Sequence, residues 1–429
     1  MPDLSEDVKD VINEVAVLIS GLKPETIPHT EWKAVPRSPS GYEWKPEKKE
    51  FEDWSAHVDE LHQKAAVLPA VERLRNSLTA AFSPESAELD RVLRTLVAGV
   101  PYRRYDLDSF AGEVSRSIAH YVTTRKFVGR ATAKLEGILV EKPHLVAKGI
   151  TIRPPEDRDR IIVLPSEPSL MFVGSRQDHW PPDSILEIEV EADGPRLLQE
   201  MVEKALDVLL LTLMKPVCFR SYRMHGDFMA RCALIGGTIT PGQHRWSIPP
   251  IPVDERATQI SRIWEAVSGG IRTRLHDPSK PPEISFDRFR RALTESIPIE
   301  QQLLYAVMGL ESLFLESGVT MELKYRLSTR TALLMGSLGL DAVTAAREVG
   351  RAYNLRSKYV HGSVFSQKEK EEGARLTERI LLYLRNSLLT FLTSPRDKDY
   401  MLPHLDAAGV TGDTKELAHI VMGTKELLS

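Results

Sequence analysis

The stretch "DAVTAAREVGRAYNLRSKYVHGS", residues 341–363, decides how the C-terminal part of this chain folds. Asp341 is a residue type whose carboxylate accepts hydrogen bonds from the backbone N–H groups that open a helix. Gly362 suits the other end, because glycine takes the left-handed conformation that closes a helix without strain. The spacing predicts a helix from Asp341 to about Val360 or His361. Ser366 and Glu369 then stand at capping-box spacing for the next start, and "ARLTERILLYLRNSLLTFL" supplies a long apolar stripe. Upstream, "IEQQLLYAVMGLESLFL" places Leu303, Leu304, Val307, Met308 and Phe314 along one side, and "ELKYRLSTRTALLMG" follows. Residues 285–393 therefore read as a bundle of four or five helices with short connections.

Outward from the bundle the texture changes. "LSEDVKDVINEVAVLISGL" has helical spacing. Residues 23–49, rich in proline, serine and charge, read as an extended connector, and 51–122 read as helices broken at Pro69, Pro84 and Pro101. "ATAKLEGILV", "RIIVLPS" and the alternating "ILEIEVEA" read as strands. "PRLLQEMVEKALDVLLLTLM" reads as a helix among them, and "VCFRSYRM" and "FMARCALIGG" as two strands turning at "HGD". The expected architecture is multidomain α+β. A mainly helical region (1–125) and a mixed α+β domain (126–275) are followed by a linker (276–284), the bundle (285–393) and a tail (394–429) with one short helix near "TKELAHIVM".

The chain has 429 residues, 42% hydrophobic and 27% charged, with a formal net charge of −4. No global positive field exists, so a nucleic-acid role needs a local basic patch. Two cysteines, Cys218 and Cys232, make no disulfide framework and suit a reducing compartment. The first residues are acidic where a signal peptide is basic, and the longest apolar run, "VLLLTLM", is too short to span a bilayer. The expectation is a cytoplasmic protein.

Arg356 and His361 stand five apart. With 35 arginines and 12 histidines, about one such spacing arises by chance, and a second match, Arg220 and His225, does occur. The latter lies in β-type sequence and reads as an edge strand with exposed cations. Arg356 and His361 lie on the last turns of a bundle helix, offset by about 140° and roughly 7.5 Å. One copy does not bring them together, but a two-fold dimer, or a higher even-numbered oligomer built through the bundle, presents two pairs across each axis. The chemistry that fits is RNA cleavage without a metal or other cofactor. Histidine moves protons near neutral pH, and arginine holds the phosphate oxygens as charge builds. Arg347, Arg351 and Lys358 form a basic stripe on the same helix, and Arg326 and Arg330 an i, i+4 pair; such stripes bind phosphates or are simply solvated. For Arg356 and His361 the alternative is a salt-bridged arginine and a histidine placed at a helix C-terminus by the dipole.

"MGLESLF", "RLSTRTALLMG" and "YNLRSKYVHGS", in that order, resemble the Apea-like branch of the HEPN domains over about residues 295–393. The resemblance implies a dimerising helical bundle and a metal-independent endoribonuclease, often part of antiviral or toxin-type defence. Its signature is arginine, a polar residue, three others, then histidine, matched here by Arg356, Ser357 and His361. Ser357 is a less common choice at the second place. Glu311, in "GLESLF", matches a recurrent acidic position whose implied role is to hold an arginine. The upstream "AKLEGILVEKPHLVAKGITIRPP" also looks like the β-rich region that precedes this domain in such proteins. By analogy, residues 1–275 are a sensor or brake answering to a ligand or phage protein.

Two rivals stand beside the nuclease. The bundle is a catalytically inactive dimerisation or RNA-binding module, or the chain is a regulatory scaffold whose β-rich part binds a ligand. Cys218, His225, Asp227 and Cys232 are close in sequence, but their spacing matches no common zinc pattern, so no metal is expected.

Overall fold

The structure is a computed structural model that describes residues 4–37, 41–82, 86–165, 182–233, 238–239, 250–274, 281–295, 297–316, 321–394 and 396–428. It is mostly helical, with a small sheet region and a C-terminal helical stretch. In chain order the elements are α1 (Leu4–Ile19), β1 (Glu25–Arg37), β2 (Gly41–Asp53), α2 (Val58–Ala65), α3 (Pro69–Phe82), α4 (Ser86–Tyr102) and α5 (Leu107–Thr124). Next come β3 (Phe127–Glu136), β4 (Ile138–Leu139), β5 (His144–Ala147), β6 (Ile150–Arg153), β7 (Ile161–Pro165), β8 (Ser184–Ala192), α6 (Pro195–Leu213), β9 (Cys218–Gly226), α7 (Phe228–Ala233), β10 (Thr238–Ile239) and β11 (Ile251–Pro252). The remainder is helical: α8 (Ala257–Arg274), α9 (Pro281–Thr294), α10 (Ile299–Phe314), α11 (Leu323–Ser337), α12 (Ala342–Val360), α13 (Gln367–Thr393), α14 (Lys398–Thr411) and α15 (Lys415–Leu428).

The chain divides into two compact units that interleave along the sequence. One holds residues 1–135, 149–202 and 219–241; the other holds 136–148, 203–218 and 242–429. The sequence boundaries at 125 and 275 are therefore not the boundaries between units.

In the first unit α1 buries Val8, Val11, Ile12 and Val15 against α3, α4 and α5, as its 3.6-residue stripe dictates. Residues 25–37 and 41–53, expected as a connector up to 49 and as helical from 51, instead form two paired strands, Glu25 facing Asp53, with β1 also pairing β7. The sequence there does carry a two-residue alternation, Tyr42 and Trp44 against Glu43 and Lys45, beneath its prolines. Strands β10-β9-β3-β8-β6 share a sheet. Pro101 does not break α4; it sits in its last turn. Pro84 lies outside the described residues. "FMARCA" is the helix α7 and not a returning strand, because Asp227 caps it: its carboxylate accepts from the Ala230 N–H at 2.9 Å.

In the second unit, five helices, α9 to α13, cover the expected bundle. α13 is the central one, lined with Ile380, Leu384, Leu388 and Phe391. Phe314 of α10 meets Phe391 edge-on at 5.8 Å. On α10 Leu303, Val307 and Phe314 are buried, while Leu304 and Met308 are only half-buried. Gly309 lies where α13 comes close: a Cβ there would stand 2.7 Å from Leu384 Cδ2. The expected linker is shorter than read, since "PPEI" (281–284) opens α9, proline being tolerated in a first turn. The tail carries two helices, not one, and α14 lies against α11.

Candidate active site

Asp341 caps α12 as its residue type predicts, accepting from the Thr344 N–H at 2.5 Å. At the other end Gly362, with φ of 79°, closes a Schellman motif. The Ser363 N–H reaches the Lys358 carbonyl at 3.1 Å, and the Gly362 N–H reaches the Tyr359 carbonyl at 2.9 Å. His361 sits at the turning point, exposed, its own N–H bonded to the Ser357 carbonyl at 3.1 Å. The turn is braced from both sides. Lys358 donates to both oxygens of Glu369 at 2.8 and 2.9 Å, and the Tyr359 ring meets the buried Phe365 ring edge-on at 6.0 Å. Ser366 and Glu369 form the capping box of α13. The Lys358 ammonium and the Ser366 donors hold the Glu369 carboxyl down to about 2.

Arg356 faces the other way, into the bundle. Its side chain is 26% exposed, and one terminal nitrogen donates to Glu311 on α10 at 3.2 Å. The guanidinium also lies 6.0 Å from the Tyr353 ring centroid, and its Nε is cut off from solvent with no partner among the described residues. Burial pushes the Glu311 carboxyl above its ordinary range, and the charge on Arg356 offsets this only in part. Glu311 thus holds an arginine whose guanidinium makes no other hydrogen bond among the described residues. Within one copy Arg356 points inward and His361 outward, as their 140° offset requires. Ser357 is half-buried and contributes its carbonyl to the turn.

The other expected RNA contacts separate. Arg347 is exposed and has no ion-pair partner among the described residues. Arg351 is clamped by Glu372 through two bonds of 2.8 and 2.7 Å. Arg326 lies loosely between Glu316 at 3.9 Å and Glu322 at 4.0 Å. Arg330 does not belong on a phosphate-facing stripe: its side chain is 1% exposed and spends its donors on Glu316, Asp406 and the Phe314 carbonyl. Period alone placed it beside Arg326, but four residues on a helix also turn by about 40°, enough to move a side chain from the rim to the core. A second cation closes the same helix end. Lys398 donates to the carbonyls of Ser312 at 2.8 Å and Leu315 at 2.5 Å, and burial lowers its ammonium pKa. Neither Lys398 nor Asp406 carries a sequence signal for this, because both come from a helix beyond the bundle.

The second arginine–histidine match lies on β9, which pairs with β10 and β3 and so is not an edge strand. His225 is half-buried, with Nε2 3.2 Å from the Thr132 hydroxyl, and burial, then Arg223 and Arg130, lower its pKa. The Arg220 side chain lies outside the described residues. Asp227 is spent on capping α7, Cys218 is buried with its thiol 3.8 Å from Glu136, and burial pushes the Cys232 thiol up to about 12. Among the described residues no cluster of three metal-ligating side chains occurs, and no helix is long and apolar enough to cross a membrane. No family model matches this chain, and no curated protein or solved structure is significantly similar to it.

Proposed function

We propose that the C-terminal bundle is a HEPN-type, metal-independent endoribonuclease that works as a pair of copies, in a defence or toxin system. The observation that carries this is the end of α12. A half-buried arginine there, held by one 3.2 Å contact to Glu311, keeps donors for a phosphate, and an exposed histidine stands on a braced turn. In the reaction the 2′-oxygen attacks phosphorus and the P–O5′ bond breaks. One His361 takes the 2′-OH proton, and its partner gives a proton to the departing 5′-oxygen. Arg356 offsets the negative charge that builds on the phosphorane oxygens. The products are a 2′,3′-cyclic phosphate and a 5′-hydroxyl.

A second copy is invoked because one copy keeps the two groups apart. The surface beside His361 supports it. Val360 and Val364 are exposed there, on a depression of about 540 Å³ reaching Leu304 and Phe365, and apolar ground of this kind is commonly covered by a partner. The rival, an inactive RNA-binding or dimerisation module, draws on the same Arg356–Glu311 bond, since a guanidinium already paired is less free to grip phosphate. In either reading residues 1–275 serve as the regulatory, ligand-sensing part.

The test is purified protein with total RNA and EDTA, new ends being mapped. Wild type should leave cyclic phosphates, and Arg356→Ala and His361→Ala should abolish them while light scattering still reports a dimer. Arg220→Ala with His225→Ala should change nothing. Cleavage that survives both α12 changes places the chemistry elsewhere.

A further inference from the structure

α11 and α12 leave a groove of about 600 Å³ between them, and its composition differs from the paired surface around it. Its floor is Gly350. A Cβ at that position would come within 3.4 Å of both Lys324 Cε and Ser328 Oγ, so the missing side chain keeps the floor open. Glycine in a helix interior is unfavourable relative to alanine, and here the space is what it leaves. The Ser328 hydroxyl is shut off from bulk solvent, has no hydrogen-bond partner among the described residues, and lines this groove. Tyr325, 69% exposed, and Lys324 form one wall, with Arg347 and Asn354 on the other.

The charges decide what fits. Of the three cations that line the groove, Arg351 has a carboxylate within 4.0 Å. Lys324 and Arg347 have none among the described residues. Asp341, the acidic group that feels Arg347, is already engaged by the Thr344 N–H. Two unspent cations, one open aromatic face and an unpaired hydroxyl suit a phosphate joined to a flat ring. Stacking on a tyrosine tolerates any base, and cations that follow the backbone make such binding salt-dependent. Arg347, Asn354 and His361 recur every seven residues, so they keep to one stripe of α12 and advance by about 10 Å per step. The groove side therefore runs toward the exposed histidine and away from the inward Arg356.

We propose that the α11–α12 groove holds one nucleotide of a single-stranded RNA, its base on Tyr325 and its phosphates on Lys324 and Arg347. The choice of RNA rests on the ribonuclease reading; the binding does not. The groove reads ring face and phosphate, so a deoxy strand should bind too.

Fluorescence anisotropy of the full chain with a fluorescein-labelled 12-mer of 2′-O-methyl-uridine separates binding from cutting, since that strand has no nucleophile. Tyr325→Ala should weaken binding at least about fivefold. Lys324→Ala with Arg347→Ala should also weaken it and lower the slope of log affinity against log salt by about 1.4. Gly350→Ala should weaken it by filling the floor, with circular dichroism unchanged. If affinity and salt slope stay at wild-type values in the Tyr325 and cation variants, the groove is not the site, whether or not RNA is cut. Binding that depends on these residues in a protein that cuts no RNA keeps the groove and removes the nuclease. Equal competition by uridine monophosphate, by inorganic phosphate, or by a duplex of the same length overturns the single-strand assignment.

Discussion

Arg330 and Asp406 meet in a two-bond fork, Nε to Oδ1 at 2.7 Å and Nη2 to Oδ2 at 2.6 Å, although 76 residues separate them. Glu316 completes the cage at 2.8 and 2.9 Å. The fork ties α14 to α11, and the same guanidinium closes the end of α10 through the Phe314 carbonyl. The tail is thereby part of the bundle.

That cage is asymmetric in burial, which fixes the order of its mutants. Arg330 is almost wholly enclosed, whereas Asp406 is 51% and Glu316 39% exposed. Arg330→Met leaves carboxylates that water can reach and refills the space of the stem, so a loss of about 1–2 kcal/mol is expected. Glu316→Ala with Asp406→Ala strands a charge in the interior and should cost about 3–5 kcal/mol. Hydrogen exchange in α10 and α11 reads both. The reverse order would mean the fork is not what holds the tail.

Part of the acid limb of stability should trace to the same cage. Arg330 holds the Glu316 carboxyl down to about 2 from its ordinary 4.5. A depressed carboxyl stabilises the fold above its unfolded value and ceases to do so as pH falls through its folded one. Stability of the helical unit should therefore drop between about pH 4.5 and 2, and Glu316→Gln should flatten the drop. Glu311 has the opposite sign. Burial raises it, so the native state keeps a proton that the unfolded chain loses, and its contribution falls as pH rises. Glu311→Gln should steepen the acid loss. Unfolding midpoints across pH 2–6 give both slopes, and parallel curves in all three proteins would refute the assignment.

Gly309 and Leu384 offer a packing test. Alanine at 309 improves helix propensity by about 1 kcal/mol but places a Cβ 2.7 Å from a fully buried leucine methyl. Overpacking costs about 1–3 kcal/mol, so Gly309→Ala should be destabilising in wild type. In a Leu384→Ala background the clash is gone and the same change should stabilise. A double-mutant cycle with no coupling would show that α10 and α13 do not touch there.

How much of this was legible follows from where each signal lies. The caps of α12 and α13 are local, so Asp341, Gly362, Ser366 and Glu369 read correctly from type and spacing alone. Gly309 carried no such message, because its reason is a leucine 75 residues away. The β-ribbon is not legible in its sequence because proline and charge mark loops on average, yet prolines are tolerated in strands where no ladder donor is needed. The burial of Arg330 is hidden for a similar reason: its carboxylates come from Glu316, just past α10, and from α14, and no helical period of its own segment reveals them. Whether Arg356 faces in or out was likewise set by α10, through Glu311.

Glu311 is also the residue that separates gripping from chemistry. It touches Arg356 and not His361, so it acts by aiming the guanidinium. Removing Arg356 or His361 should lower RNA cleavage by at least about 100-fold, the usual loss when an acid–base or charge-stabilising group is deleted. Glu311→Gln keeps an acceptor of the same shape and loses the charge that draws Arg356 inward. Cleavage should then fall by about tenfold or less. Arg356→Lys should not rescue, because an ammonium cannot bridge two phosphate oxygens as the planar fork does. The pH profile adds a check that a purely structural role would not meet: the histidine limb should keep its midpoint in Glu311→Gln, since that carboxyl does not face the imidazole. A midpoint that moves, or a loss as deep as that of Arg356→Ala, would make Glu311 a participant in proton transfer and redraw the site around α10.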